Sequence, residues 1–110
     1  MKTSCGEIPN ELFENYLYNL IGRFYKILPL KETNSDTLTI YINSFLCELI
    51  GSRSLIIELN NDSQFMTLIS TLQYFIVSDF SLKSCKRDVM KCINISKNMY
   101  KKYTGREWRN

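Results

Sequence analysis

The four cysteines carry the most reactive side chains in this chain and are the first candidates for a chemical site. Cys85 and Cys92 are seven residues apart, which places them about two turns apart on one side of a helix, too far to share a metal ion without further ligands. The chain has no histidine, so it lacks the usual base for a thiol nucleophile and the commonest nitrogen ligand of metals. With Cys5 and Cys47 isolated in sequence, the four thiols are predicted to be reduced and mostly buried.

Other arrangements that carry chemistry are also missing from the sequence. Glu48 lies within the apolar run 45–50, where a carboxyl can have a raised pKa, but a lone carboxylate at a helix boundary is more often a surface group or an ion-pair partner. The four glycines are isolated, so no glycine-rich phosphate loop is present. The sequence therefore predicts no catalytic residue, no metal site and no cofactor, and a protein that is not an enzyme.

Charge is distributed unevenly along the chain. Residues 1–82 contain five Lys/Arg and nine Asp/Glu, which is a net charge of −4. Residues 83–110 contain nine Lys/Arg and two Asp/Glu, which is a net charge of +7, so the whole chain has a net charge of +3. Helical periodicity places the apolar residues of segment 82–103 on one side of a helix and its cations on the other. These cations are Lys83, Lys86, Arg87, Lys91, Lys97, Lys101 and Lys102. They form either a solvated outer face or a binding surface for an anionic partner, which would be an acidic protein or a nucleic acid.

Two further helix faces are candidates for partner binding. Opposite its apolar stripe, the first predicted helix carries Glu11, Glu14, Tyr18 and Tyr25. Tyrosines beside carboxylates are typical of a partner surface, because tyrosine offers a large, rigid contact area. The alternative is that the tyrosines lie against the connection at 52–61.

The third predicted helix has an outer face without charge, formed by Thr67, Ser70, Thr71 and Tyr74. Solvent-facing helix surfaces normally contain Lys or Glu. The helix is therefore either central and covered on most sides, or its outer face contacts another chain, which would make it a surface for self-association.

Apolar residues recur at helical spacing throughout the chain and define four main helices. The first is predicted over 9–28, ended by Pro29, and the second from a cap at Ser35 or Asp36 to Gly51. A short helix is favoured over an extended segment within 52–61.

The second half of the chain is predicted to hold the other two main helices. The residues at 60–62 form a turn and cap for a third helix over 63–77, and a turn at 78–79 leads to the fourth. The fourth helix is predicted from 82 or 84 to 103, ending near Gly105.

Length and composition indicate a single all-α domain over residues 1–110, a compact bundle of four main helices, with 106–110 as a frayed tail. Residues 1–10 contain no apolar segment typical of a secretion signal. The longest uncharged stretch, 63–78, is 16 residues long, shorter than the ~20 residues of a membrane-spanning helix. The expected location is cytoplasmic, without a membrane partner.

Three segments carry a resemblance to other proteins: 23–30, 41–51 and 87–93. In these runs and across most of its length, the chain resembles uncharacterised small helical proteins of low-GC Gram-positive bacteria and their phages. The resemblance implies a phage or mobile-element context, in which small non-enzymatic proteins bind a host protein and block or adapt it. It transfers no site residues.

Three functional hypotheses follow from the sequence. The first is a non-enzymatic protein-binding module, such as an inhibitor or regulator of a host protein, that uses the basic face or the outer side of the first helix. The second is a nucleic-acid-binding protein that uses the basic face. The third is a structural protein that self-associates through the uncharged third helix as a homo-oligomer.

Overall fold

The computed structural model describes residues 2–3, 6–33, 36–77 and 81–108. Within these ranges the chain forms one short hairpin and six helices, packed as an all-α bundle as predicted. The hairpin pairs β1 (Lys2–Thr3) with β2 (Gly6–Glu7) in antiparallel register. The helices are α1 (Asn10–Tyr25), α2 (Ile27–Glu32), α3 (Thr37–Leu55), α4 (Ile57–Asn60), α5 (Ser63–Val77) and α6 (Leu82–Thr104).

The long helices pack around one apolar core. α1 lies along α6, and α5 lies between α3 and α6 and contacts both, while α2 closes one end against α3 and α6. Four phenylalanines, Phe13, Phe24, Phe45 and Phe65, are buried in the centre. Each long helix buries an apolar stripe, which in α3 is formed by Ile42, Phe45, Leu46 and Leu49, and packing these stripes against one another determines the arrangement.

The first predicted helix is divided into two in the structure, so the predicted end at Pro29 was wrong. α1 ends at Tyr25, and after Lys26 the chain continues as α2, with Pro29 at its third position. Backbone N–H groups in the first turn of a helix have no partner within that helix, so a proline there breaks no hydrogen bond. Proline therefore fits the beginning of α2 instead of terminating α1.

The second predicted helix also ends later than expected. α3 continues through Gly51 to Leu55, so the predicted stop at Gly51 was wrong. The chain turns at Ile56, which is extended (φ −100°, ψ 116°) and buried, and then forms α4. Gly51 lies within α3 and does not have the positive φ of a glycine that ends a helix. The short helix expected within 52–61 is confirmed as α4.

The last two main helices agree with prediction. α5 covers the predicted residues 63–77, and Asp62 caps it by accepting hydrogen bonds from the N–H groups of Gln64 (2.8 Å) and Phe65 (3.3 Å). α6 begins after Ser81, whose hydroxyl accepts from the N–H of Ser84, and ends at Gly105 with φ +72°. The predicted turn at 78–79 and the candidate cap Ser35 lie outside the described residues.

No helix in the described ranges is long and apolar enough to cross a membrane.

Candidate binding groove between α5 and α6

α6 is one continuous helix with a buried and a charged side, as the sequence predicts. Val89, Cys92 and Ile93 on one side are buried in the core. On the other side, six of the seven predicted cations are exposed and Lys97 is half-buried. The helix therefore presents its positive charge outward along its whole length.

Much of this positive charge is balanced within the chain. Four cations form ion pairs: Lys86 with Glu32 (3.7 Å), Arg87 with Asp88 (3.4 Å), Lys101 with Glu107 (2.8 Å) and Lys102 with Asp62 (3.3 Å). The ammonium of Lys97 lies 5.0 Å from the centre of the Trp108 ring. Only Lys83 and Lys91, of these seven, have no ion-pair or aromatic partner among the described residues.

A groove of about 450 Å³ lies between α5 and α6 and brings together two of the surfaces predicted from the sequence. One wall is the uncharged face of α5, formed by Met66, Thr67, Ser70, Thr71 and Tyr74. The other wall is the first half of α6, with Arg87, Asp88 and Lys91. The two helices run antiparallel, because Asp62 contacts Tyr103 at one end and Tyr74 shares the groove with Arg87 at the other.

The α5 wall is open to solvent in this chain. Thr67, Ser70 and Tyr74 are exposed and Thr71 is half-buried, so the interpretation of α5 as a helix covered on most sides was wrong. Its neighbours α3 and α6 cover two sides and leave this face free. The hydroxyls of Thr67 and Thr71 donate to the carbonyl oxygens of Ser63 (3.1 Å) and Thr67 (2.9 Å), so both are satisfied within the helix.

The α6 wall is cationic but not uniformly so. Arg87 and Lys91 are exposed, whereas the side chain of Asp88 is 21% exposed. Two positive charges against one negative charge leave a net charge of +1 on the groove lining. Behind this wall, burial raises the pKa of the Cys92 thiol to about 11, so the thiol stays protonated and is a poor nucleophile at neutral pH.

Asp62 joins the beginning of α5 to the end of α6, outside the groove itself. Its buried carboxylate accepts hydrogen bonds from the Tyr103 hydroxyl (2.6 Å) and the Lys102 ammonium (3.3 Å), in addition to the two N–H groups that it caps. Burial opposes ionisation, but these hydrogen bonds outweigh it and lower the pKa of Asp62. Lys102, predicted to bind a partner, therefore has a structural contact inside the chain.

The predicted outer side of α1 lies next to the carboxyl-terminal segment. Tyr18 and Tyr25 contact the ring of Trp108, with ring centres 5.7 and 6.4 Å apart, and Glu14 forms an ion pair with Arg106. Glu11 remains exposed. The alternative, in which the tyrosines lie against 52–61, is wrong, because both contact Trp108.

Residues 106–108, expected to be part of a frayed tail, make side-chain contacts with α1 and α6. The tyrosine rings provide an apolar surface that Trp108 partly covers. Residues 109–110 lie outside the described part of the chain.

A second cavity of about 210 Å³ is lined by Tyr16, Asn19, Leu20, Arg23 and Glu48. Glu48 forms an ion pair with Arg23, one of the two alternatives expected for this carboxylate. Burial raises the pKa of Tyr16 to about 12, so this cavity holds a neutral phenol and a paired carboxylate. It contains no nucleophile activated by a base.

Three other observations bear on chemical function. Among the described residues, no three His, Cys, Asp or Glu side chains form a group that could hold a metal ion. Cys47, Cys85 and Cys92 are free thiols, and Cys5 lies outside the described residues. No protein-family model, curated protein or solved structure matches this chain.

Proposed function

We propose that this protein is a non-enzymatic protein-binding module and that the α5–α6 groove is its binding surface. The observation that supports this most directly is the composition of the groove. Tyr74 and Met66 lie on a wall without charge, and Arg87 stands on the facing wall. Aromatic residues, methionine and arginine are enriched at the centres of protein interfaces. Lysine and acidic residues, which are depleted there, are represented in the lining by Lys91 and Asp88 on the α6 wall.

The pairing of the cations favours a protein partner over a nucleic acid. A phosphate backbone requires a series of cations free to replace counterions. Along α6, four of the seven candidates already have carboxylate partners, and the two nearest the carboxyl end of the helix, Lys101 and Lys102, are both among them. The cations of α6 without an ion-pair or aromatic partner among the described residues are Lys83 and Lys91, and Lys91 lines the groove.

In the phage or mobile-element context that the sequence resemblance implies, such a module would inhibit or regulate a host protein by occupying part of its surface. This mode of action requires no catalytic residue. A groove of this size is suited to a small number of side chains from the partner, which would act as anchors.

The proposal can be tested by photocrosslinking in cells. A photoreactive amino acid at Ser70, in the groove, should give an adduct with a discrete protein, because Ser70 is exposed on the uncharged wall. The matched control places the same amino acid at Asn15, which is exposed on α1, and should not give that adduct. The charge reversals Arg87→Glu and Lys91→Glu should abolish the adduct at position 70.

Two results would contradict the proposal. One is the same adduct pattern at positions 70 and 15. The other is an adduct with nucleic acid at position 70, together with salt-sensitive gel shifts of DNA or RNA at micromolar protein. The second result would support the nucleic-acid hypothesis instead.

A further inference from the structure

We infer that the occupant of the α5–α6 groove is an amphipathic helix of the partner with an acidic face, an inference that rests on the proposed function. Three features of the groove lead to this occupant: the secondary structure of its walls, its length, and the separation of its uncharged and cationic sides.

The walls favour a helical occupant. Both walls are helices, whose central backbone N–H and C=O groups are already used inside α5 and α6. An extended peptide binds well where it can add to a sheet edge, and the only strands among the described residues belong to the hairpin of 2–3 and 6–7. A helix brings its own backbone hydrogen bonds and needs only side-chain contacts.

The length of the groove sets the size of the contact. Met66 and Tyr74 mark the ends of the α5 wall and lie eight residues apart, which is ~12 Å along a helix. Between them, Thr67, Ser70 and Thr71 are short side chains, which allow another helix to approach closely. A partner helix would therefore contact this wall over about two turns.

The uncharged wall is matched by an apolar stripe on the partner helix. Met66 and Tyr74 provide the large surfaces at its two ends, and Tyr74 is 48% exposed. The hydroxyls of Thr67 and Thr71 donate to carbonyl oxygens of α5, so apolar side chains can cover these two residues without leaving either threonine hydroxyl unpaired.

The cationic wall defines the other face of the partner. Arg87 and Lys91 are four residues apart and therefore lie one above the other on α6, with Lys83 one turn earlier on the same side. Carboxylates one turn apart on the partner helix would lie opposite these cations. Asp88 pairs with Arg87, and the lining keeps a net charge of +1 because it holds two cations and one carboxylate. Charge complementarity therefore selects an acidic sequence over a basic one.

The inference is tested with the full chain and three synthetic peptides of about 20 residues, long enough to hold a helix. The first places leucines at helical spacing beside glutamates one turn apart. The second replaces every glutamate with lysine, and the third keeps the acidic composition but scrambles the spacing. Binding is measured by fluorescence anisotropy at low salt. We expect the patterned acidic peptide to bind at least about tenfold more tightly than either of the others.

Variants of the protein locate the binding to the groove. Arg87→Glu with Lys91→Glu should weaken binding of the acidic peptide by about tenfold or more. The matched control, Lys26→Glu with Lys101→Glu, makes the same change in net charge at exposed positions outside the groove and should retain binding. Circular dichroism of both variants shows whether they are folded.

The possible results separate the inference from the proposed function. Any of three results would overturn the inference. The patterned and scrambled acidic peptides could bind equally well, both double variants could lose binding equally, or the patterned acidic peptide could fail to bind. If the Ser70 crosslink still identifies a protein in that case, the groove binds a partner of a different structure. If that crosslink is also absent, the proposed function fails as well.

Discussion

Asp62 holds more hydrogen bonds than a typical helix cap. Its carboxylate accepts from the first turn of α5 and from two side chains near the end of α6. Because the carboxylate is buried, these groups replace water as its partners, and the contact joins elements that are 40 residues apart in sequence.

Asp62→Ala should lower the free energy of unfolding by about 2–3 kcal/mol, since it removes a helix cap and leaves the Tyr103 hydroxyl without its acceptor. Urea denaturation followed by circular dichroism measures the change. Asp36→Ala is the matched control, because Asp36 precedes α3 without a side-chain capping hydrogen bond; its effect should stay within about 0.5 kcal/mol. Equal effects of the two substitutions would contradict the role assigned to Asp62.

The Asp62 carboxylate should also make stability depend on pH. Its folded-state pKa is lowered, so the unfolded chain, with a pKa of about 3.9, takes up the proton first as the pH falls. The stabilisation is therefore fully present above the unfolded pKa and is lost as the pH falls through the lower folded pKa. In urea titrations, the difference in stability between wild type and Asp62→Asn should be constant near neutral pH and shrink below about pH 4. A difference that grows on acidification would contradict the assignment.

At the residue scale, the sequence predicts which way a side chain points better than it predicts its partner. The outward position of the α6 cations follows from helical periodicity alone. Their carboxylate partners cannot be found in this way, because Glu32 and Asp62 are distant in sequence from Lys86 and Lys102 and meet them only through the packing of α2 and α5 on α6. The groove could not be predicted either, because it depends on how α5 packs on α6. The residues of both of its walls were predicted as separate surfaces.

At the scale of elements, glycine illustrates how the same residue acts differently in two helices. Gly105 ends α6 with φ +72°, a conformation that favours glycine. Gly51 lies inside α3, where a Cβ would have no neighbouring heavy atom within 4 Å beyond the adjacent residues and the helix's own backbone. A glycine signals a helix end only where the chain turns there, and in α3 the turn comes five residues later, at Ile56.

Gly51→Ala should therefore raise the free energy of unfolding by about 0.5–1 kcal/mol, because alanine loses less backbone conformational entropy than glycine when the helix forms. Gly105→Ala should lower it by about 1 kcal/mol, because alanine is strained at positive φ. Thermal and urea unfolding of both variants measure the two effects. A loss of stability in Gly51→Ala would contradict the conclusion that this position in α3 has room for a methyl group.

The accuracy of the predicted elements depends on the local signals at their ends. α5 and α6 have side-chain caps at their beginnings, from Asp62 and Ser81, and their bounds agree with prediction. The errors occur at Pro29 and Gly51, where the residue type is compatible with both a helix end and a helix that continues. At such positions the packing of the following residues decides, and packing is not encoded within a short sequence window.

The segment after α6 is held against α1 by Trp108, the only tryptophan in the chain. Trp108→Ala should lower the free energy of unfolding by about 1–2 kcal/mol, because it removes contacts with Tyr18 and Tyr25. Arg106→Ala, which removes an exposed ion pair with Glu14, should change it by less than about 0.5 kcal/mol. Circular dichroism during urea unfolding measures both. If Trp108→Ala were as stable as wild type, the contact with α1 would contribute nothing.

For the molecule as a whole, the groove lining is poorly suited to self-association. A two-fold axis through the groove would bring together two linings that each have a net charge of +1, and this like charge would oppose the contact. We therefore expect a monomer of 13.0 kDa at micromolar concentration in sedimentation experiments. Ser70→Lys should change neither the mass nor the stability, because Ser70 is exposed. A wild-type dimer that Ser70→Lys dissociates would instead support self-association through α5.

The pairing of α1 with α6 has a consequence for biosynthesis. Phe13 and Tyr103 stack edge to face with ring centres 5.2 Å apart, although nearly the whole chain separates them. During translation, the apolar side of α1 leaves the ribosome long before α6 exists to cover it. A ribosome that stalls before α6 therefore releases a fragment with a permanently uncovered hydrophobic surface, which chaperones or proteases would recognise.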